Sequence, residues 1–258
     1  MKILLITDIH YGENTNYPKI GGEEYINSFG SVFESFLPNL KDAITSHDLV
    51  INLGDLIHET TTEEDVPAYK KALALLGNKV PVKNVIGNHD LNTLSREQVS
   101  EIIGEKKIYY SFDFEGYHHV VLDGFRETKG DPHRIETEQL EWLKNDLETT
   151  NLATIVYCHY PLDDQNLDSN YYFSQRPDRA LILNREEVRS VLENSKKVLC
   201  AFNGHTHFFS QQVINGITYT TVPSFTENDG EHNPRAQCLS VSFEGSDFST
   251  ELLTIASS

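Results

Sequence analysis

Short, continuous apolar runs alternate along the chain with longer stretches in which apolar residues recur every three or four positions. Four of the runs are rich in branched residues and are typical of strands buried on both faces: residues 2–7, 49–53, 82–86 and 153–158. Four other stretches have the periodicity of amphipathic helices: residues 24–46, 64–76, 136–148 and 184–195. Strands that alternate with helices predict βαβ units and a largely parallel sheet.

Two regions interrupt this alternation and predict antiparallel pairing. Residues 108–122 predict one hairpin, and residues 208–222 predict another around Asn215-Gly216, a strong two-residue turn signal. Residues 237–254 add further strands, and Pro38 is expected to kink or divide the first helix. With no linker, repeat or low-complexity tract, the pattern predicts a single domain over residues 1–258, in which two sheets pack face to face with helices outside.

The charge balance narrows the range of partners. The 258 residues include 39 acidic and 21 basic side chains, which gives a net charge of −18. Such a field repels polyanions and attracts cations, so duplex nucleic acid and an anionic membrane surface are disfavoured as partners. No apolar run approaches the ~18 residues that a bilayer span needs. The three cysteines are far apart and the N-terminus lacks the features of a signal peptide, which together predict a cytoplasmic protein without disulfides.

Polar side chains suited to metal binding follow five predicted strands. They occur in the segments Asp8-Ile9-His10, Asn52-Leu53-Gly54-Asp55, Gly87-Asn88-His89-Asp90, Cys158-His159 and Gly204-His205-Thr206-His207. The carboxyl ends of parallel strands face one crevice, and an extended backbone would point both members of each i, i+2 pair in the same direction. Imidazole, carboxylate and amide oxygen ligands suit Mn, Fe, Zn or Co better than Mg or Ca.

These five motifs, in this order, resemble the calcineurin-like metallophosphoesterases. The resemblance implies an α/β fold that is a four-layer α/β/β/α sandwich of two mixed sheets flanked by helices, with two metal ions. It implies that one ion takes Asp8, His10 and His207, that the other takes Asn88, His159 and His205, and that Asp55 bridges them. It also places His89 beside the leaving-group oxygen, with Asp90 orienting the His89 ring.

The same resemblance implies hydrolysis of a phosphoester by a hydroxide that bridges the two ions, while His89 assists the departing oxygen. The patterns at residues 138–143, 184–187 and 204–208 look most like the branch that contains cyclic-nucleotide phosphodiesterases and manganese-dependent ADP-ribose/CDP-alcohol diphosphatases. The expected substrate is therefore a small phosphodiester or a nucleotide-like diphosphate. A phosphomonoesterase with the same metal centre is the alternative. A non-catalytic scaffold would be expected to have lost ligands, and none is missing.

Substrate selection is expected from the loops around the crevice, at residues 11–23, 162–182 and 226–236. In the second loop, Tyr172, Arg176 and Arg179 are predicted to bind substrate, by stacking and by pairing with phosphate, although its aromatic residues would also suit simple packing of the loop. Six further histidines are predicted to be surface or strand residues, with His58 nearest to a motif: His47, His58, His118, His119, His133 and His232. A homodimer is expected only because symmetric dimers are common among soluble enzymes.

Overall fold

Most strands of the computed structural model, which describes residues 1–16, 26–77 and 79–258, belong to two sheets. The first sheet contains, from edge to edge, β13 (Asp247–Thr254), β12 (Gln237–Glu244), β1 (Lys2–Ile6), β4 (Leu49–Asn52) and β5 (Val82–Asn84). The second contains β10 (Ser210–Ile214), β11 (Ile217–Thr221), β9 (Val198–Asn203), β8 (Ala153–Cys158), β7 (Tyr117–Leu122) and β6 (Tyr110–Phe114). A separate short pair joins β2 (Asn14–Asn16) to β3 (Ile26–Phe29).

Both sheets are mixed. In the first sheet β1, β4 and β5 run parallel, while β12 and β13 are antiparallel to their neighbours. In the second sheet β7, β8, β9 and β11 run parallel, and a hairpin closes each edge. The two predicted hairpins are thus confirmed at the sheet edges, and the parallel strands send their carboxyl ends to one side of the molecule.

Helices cover the outer face of each sheet. The helices α1 (Leu37–Thr45), α2 (Thr62–Leu76) and α3 (Arg96–Ile103) pack on the first sheet, and α4 (Thr137–Thr149) and α5 (Arg185–Ser195) pack on the second. Alternation along β1 shows the layering, because Ile3 and Leu5 face the other sheet while Leu4 and Ile6 face the helices. The expected four-layer α/β/β/α sandwich is confirmed. Among the described residues, no helix has the length and apolar character needed to cross a bilayer.

The helix expected over residues 24–46 is wrong in its first half. Residues 24 and 25 lie outside the described part of the chain, and residues 26–29 form β3. A 3₁₀ helix follows at Gly30–Phe36. Its apolar residues recur every three positions, and this spacing also occurs in an amphipathic α-helix. Pro38 lies in the first turn of α1, where its missing N–H breaks no helical hydrogen bond. It therefore does not kink α1, but it divides the predicted helix, since the 3₁₀ helix ends at Phe36 and α1 begins at Leu37.

His118 links three elements on the outer face of the second sheet. From β7 its ring contacts the carboxylate of Asp113 on β6 at 2.7 Å and that of Asp146 on α4 at 2.8 Å. The hydrogen bond to Asp146 is the main cause that raises the pKa of His118 above its ordinary value; burial opposes this shift and the bond to Asp113 adds to it. The folded chain therefore favours the protonated ring.

A raised folded-state pKa makes the contribution of His118 depend on pH. Its stabilisation is fully present below the unfolded pKa of about 6.5 and is lost as the pH rises through the folded value. We expect His118→Gln to lower the free energy of unfolding by about 1–2 kcal/mol at pH 6 and by less at pH 9. Urea unfolding of both proteins at the two pH values measures the difference. An equal loss at pH 6 and pH 9 would contradict the ionic role of this ring.

Candidate metal centre

The five predicted motifs lie in loops that directly follow β1, β4, β5, β8 and β9. Five of the seven predicted ligands have a left-handed backbone, with φ of 49° at Asp8, 47° at His10, 49° at Asp55, 68° at His205 and 66° at His207. The extended backbone expected for the i, i+2 pairs is therefore wrong. A left-handed conformation costs a non-glycine residue of order 1–3 kcal/mol and persists only where the surrounding structure enforces it, as at functional sites.

Glycines let these loops approach each other. Gly54 has a φ of +105°, and a Cβ atom added there would lie 2.6 Å from Nδ1 of His159. A side chain at this position would both strain the backbone and displace a predicted ligand. A Cβ at Gly87 would likewise collide with the carboxylate of Asp55.

The first cluster of predicted ligands contains Asp8, His10 and His207. Oδ1 of Asp8 lies 3.2 Å from Nε2 of His207 and 3.9 Å from Nε2 of His10, and the two Nε2 atoms are 3.3 Å apart. The other oxygen of Asp8 accepts hydrogen bonds from the Thr7 hydroxyl at 2.6 Å and from the backbone N–H of His205 at 3.1 Å. These bonds fix the carboxylate so that Oδ1 faces the imidazoles.

The second cluster contains Asp55, His159 and His205, each of which offers one ligand atom within 4.8 Å of the others. Nε2 of His159 lies 3.2 Å from Oδ2 of Asp55, while its Nδ1 donates to the Leu53 carbonyl at 2.8 Å. Nε2 of His205 donates to the Arg179 carbonyl at 2.9 Å, which leaves Nδ1 for a metal. Only 4.0 Å separates Nε2 of His159 from Oδ1 of Asp8, so the two clusters are adjacent.

The atoms that face the centre fit bound cations. Oδ1 of Asp8, Oδ1 of Asn88 and Nε2 of His159 are buried and have no hydrogen-bond partner among the described residues. A buried polar atom without a partner costs about 1–3 kcal/mol, and cations bound at the two clusters would satisfy all three. The mixed carboxylate, imidazole and amide donors suit a transition metal.

The shifted pKa values of the clustered residues also indicate a site for cations. Burial alone would raise the pKa of Asp8, but the imidazoles of His207 and His159 outweigh it and hold the pKa below its usual range. Burial alone would lower the pKa values of these imidazoles, but the Asp55 carboxylate raises that of His159 to about 9 and the Asp8 carboxylate raises that of His207 to about 10. Metal-bound imidazoles are neutral, so protons and metal cations are alternative ways to balance these carboxylates.

Glu227 supports the first cluster from the loop at residues 226–236. Its Oε2 accepts a 2.6 Å hydrogen bond from Nδ1 of His207 and a 3.3 Å bond from the hydroxyl of Tyr171. A carboxylate on the far nitrogen of a ligating histidine fixes the tautomer and orients the ring. Sequence reasoning expected this loop to contact substrate and gave no sign that it supports a ligand.

The predicted pairing of Asp90 with His89 is wrong. The carboxylate of Asp90 accepts hydrogen bonds from the backbone N–H groups of Leu56 at 2.9 Å and Gly87 at 2.9 Å, so it ties two of the motif loops together. The ring of His89 instead bonds through Nδ1 to the carboxylate of Glu59. His89 also lines the cleft above the clusters. The only sequence signal for Glu59 was a second carboxylate in the loop after β4.

A cleft of about 390 Å³ opens over the two clusters. Tyr172 and Arg179, two of the predicted substrate-binding residues, line it together with Tyr171 and Phe173. Arg176 does not line it, since its side chain is exposed and its guanidinium lies 4.6 Å from the centre of the Tyr172 ring. The substrate-binding role of Arg176 stays a prediction, since its guanidinium contacts Tyr172, which lines the cleft.

The other predicted substrate loop begins at Tyr11, whose hydroxyl bonds to Glu34 at 2.6 Å. Residues 17–23 of that loop, which include Tyr17, lie outside the described residues.

The remaining histidines differ in their surroundings. His118 and His119 lie in β7 as predicted. His47 contradicts the same prediction, because it is buried outside any strand and bonds to the Ser240 hydroxyl at 2.8 Å. The ring of His58 lies near two motif histidines, 6.4 Å from His10 and 5.7 Å from His89. His133 contradicts the expectation of a surface or strand residue, because it is buried outside any strand and lines the cleft.

Three basic or potentially basic side chains of the cleft come from the loop between β7 and α4: Arg126, Lys129 and His133. Burial is the largest cause that lowers the pKa of His133 to about 2, followed by nearby His205 and Arg126, so the ring is neutral at pH 7. No motif marks this loop. The available signal was its position directly after β7, which ends beside the metal cluster.

Comparison of the sequence with known proteins finds similarity to phosphoesterases. The family profile described as "Calcineurin-like phosphoesterase" matches residues 1–209. Purple acid phosphatase 21 from Arabidopsis thaliana is 24% identical over 193 residues, which are 66% of this chain and 40% of that protein. The chain therefore spans about two fifths of the length of the curated relatives it matches.

Solved structures share the fold at low sequence identity. A dimetal phosphatase from Danio rerio superposes with a TM-score of 0.69 at 18% identity, covering 99% of both chains. GAP50, described as the anchor in the inner membrane complex of Plasmodium, superposes with a TM-score of 0.59 at 12% identity, covering 98% of this chain and 84% of that one. Because the family profile covers most of the chain, including every predicted ligand, the chain belongs to the calcineurin-like phosphoesterase family.

Proposed function

We propose that this protein hydrolyses a small phosphodiester or a nucleotide-like diphosphate with two metal ions. The observation that carries the proposal is the pair of adjacent ligand clusters under one cleft. One ion would be held by Asp8, His10 and His207, the other by Asn88, His159 and His205, with Asp55 shared between them. The ions would be Mn, Fe, Zn or Co, which this mixture of ligands suits.

The protein's own groups have separate tasks in this reaction. When bound, the two ions supply Lewis acidity and an activated water near neutral pH. Glu59 holds His89 through Nδ1, so that Nε2 can donate a proton to the departing oxygen. Arg179 also lines the cleft, where its guanidinium can pair with a phosphate oxygen.

The walls of the cleft favour a substrate with a group on each side of the reacting phosphorus. The lining includes the aromatic rings of Tyr171, Tyr172 and Phe173 and the cationic side chains of Lys129 and Arg179. Its volume of about 390 Å³ falls in the range of small-molecule pockets, ~300–1,000 Å³. The net charge of −18 opposes a polyanionic substrate.

A phosphomonoesterase is the alternative, and similarity to proteins named as phosphatases favours it. A scaffold role is less consistent with the site, although GAP50 is described as an anchor, because all seven predicted ligand side chains are present here. The cytoplasmic location and the homodimer stay predictions.

Hydrolysis of bis-p-nitrophenyl phosphate and p-nitrophenyl phosphate by metal-stripped protein, with Mn²⁺ added back, tests the proposal. We expect Mn²⁺-dependent turnover that is faster for the diester and that falls by about 10²–10³-fold in Asn88→Ala, since a lost ligand removes several kcal/mol of transition-state stabilisation. The exposed Asn151→Ala is the matched control. Preference for the monoester would identify a phosphatase instead. Absence of turnover of both esters by metal-loaded protein would contradict catalysis.

A further inference from the structure

A second cavity branches from the cleft beside the metal centre. It has a volume of about 210 Å³. Five residues line both this side cavity and the main cleft: Asn88, Asn92, Arg126, Lys129 and His133. Because Asn88 is a proposed metal ligand, the side cavity begins where the reacting phosphate would lie.

His133 stands at the junction without a partner. Its side chain is only 3% exposed, and neither ring nitrogen has a hydrogen-bond partner among the described residues. The ring stacks on Tyr160 with centroids 3.9 Å apart. A buried imidazole with no partner is costly, and its position in the cleft indicates that a ligand completes its hydrogen bonding.

Within the described part of the chain Arg126 forms no salt bridge with a carboxylate, although Asp131 is near enough that Arg126, after the hydrogen bonds from Thr128, helps to lower the pKa of its carboxyl group. Its guanidinium donates to the amide oxygen of Asn92. The nearby carboxylates have other partners: Glu59 bonds to His89 and Lys129, Asp131 to Thr128, and Glu127 pairs with Arg134. An arginine without a carboxylate partner, in a chain with a net charge of −18, indicates an anion site.

We propose that Arg126 and His133 form a subsite for the second phosphate of a diphosphate substrate. The proposal rests on the proposed function and selects the phosphoanhydride from the two substrate classes given there. The oxygen of water bonds to the phosphorus at the metal site, and the bond from that phosphorus to the bridging oxygen breaks. The bridging oxygen leaves with the second phosphate, and the two protons of the water end on the two phosphate products.

The kinetic test compares a diphosphate with a matched monophosphate diester. The substrates are UDP-glucose and the p-nitrophenyl ester of thymidine 5′-monophosphate, with Mn²⁺-loaded protein. We expect Arg126→Met and His133→Phe, which retains the stacking ring, each to lower kcat/KM for UDP-glucose by about 10–100-fold and to change the other ester by less than about 3-fold. Arg134→Met, an exposed arginine of the same loop, is the control and should change neither.

A binding measurement separates failure of this proposal from failure of the proposed function. Isothermal titration of the metal-loaded protein with methylenediphosphonate and with methylphosphonate reports the subsite without turnover. We expect tighter binding of the diphosphonate, with the preference lost in Arg126→Met. If the wild-type protein hydrolyses neither substrate yet still binds the diphosphonate more tightly than the monophosphonate, the proposed function fails and the subsite stands. Three results would overturn the subsite. The variants could affect both substrates equally, the protein could hydrolyse the diester but not UDP-glucose, or the two phosphonates could bind equally well.

Discussion

Replacing Asp55 with asparagine is expected to lower hydrolysis by about 10³-fold and to release at least one metal ion. Asp55 is buried between the clusters, with Oδ2 3.2 Å from Nε2 of His159 and Oδ1 accepting the backbone N–H of His89 at 2.7 Å. The amide has nearly the same shape but no charge, so it loses the attraction for two cations. A loss of about 4 kcal/mol in transition-state stabilisation corresponds to this factor.

Metal content by mass spectrometry and turnover of bis-p-nitrophenyl phosphate would be measured on the same samples. Asp168→Asn, which removes an exposed carboxylate from the loop at residues 162–182, controls for the change in net charge and should behave as wild type. An Asp55→Asn protein that keeps two ions and full activity would show that Asp55 is not a shared ligand.

Replacing His89 with alanine is expected to lower kcat by about 10²–10⁴-fold for a substrate with a poor leaving group and by much less for a p-nitrophenyl ester. An alkoxide needs a proton as it departs, whereas p-nitrophenolate leaves without one. Because His89 is not a proposed ligand, the metal content should stay unchanged. This combination distinguishes His89 from Asp55.

The methyl and p-nitrophenyl esters of thymidine 5′-monophosphate form the matched pair of substrates, and the exposed His232→Ala is the control. Glu59→Gln should also lower kcat mainly for the poor leaving group, by about 10–100-fold. The loss is smaller because the substitution disturbs the orientation of His89 and leaves the ring in place. An equal loss for both leaving groups would mean that His89 positions the substrate and does not donate a proton.

The left-handed backbones of five predicted ligands depend on contacts between distant loops. Asp8, His10, Asp55, His205 and His207 all adopt positive φ values, although strand residues precede the first of them and extended backbone was expected. Aspartate and histidine tolerate this conformation better than branched residues. The ligand identities therefore agree with both the metal chemistry and the backbone, but only long-range contacts hold the loops in these turns.

Four of the strands and the motifs that follow them could be predicted from the sequence alone. Continuous branched runs predicted β1, β4, β5 and β8, because a strand buried on both faces must be apolar throughout. The motifs after those strands were recognisable because few residue types bind metals and because glycine is needed where the loops approach closely. The layers of the fold and the motif residues that come together at its edge could therefore be predicted.

Only the tertiary structure decided which partner each of these residues takes. Asp90 is adjacent to His89 in sequence, yet Glu59 holds its ring, and Glu227 reaches His207 from a loop with no motif. Arg126 and His133 enter the cleft from an unpatterned loop after β7. Such contacts depend on how distant loops fold over the ends of two sheets, and neither residue type nor periodicity along the chain encodes those paths.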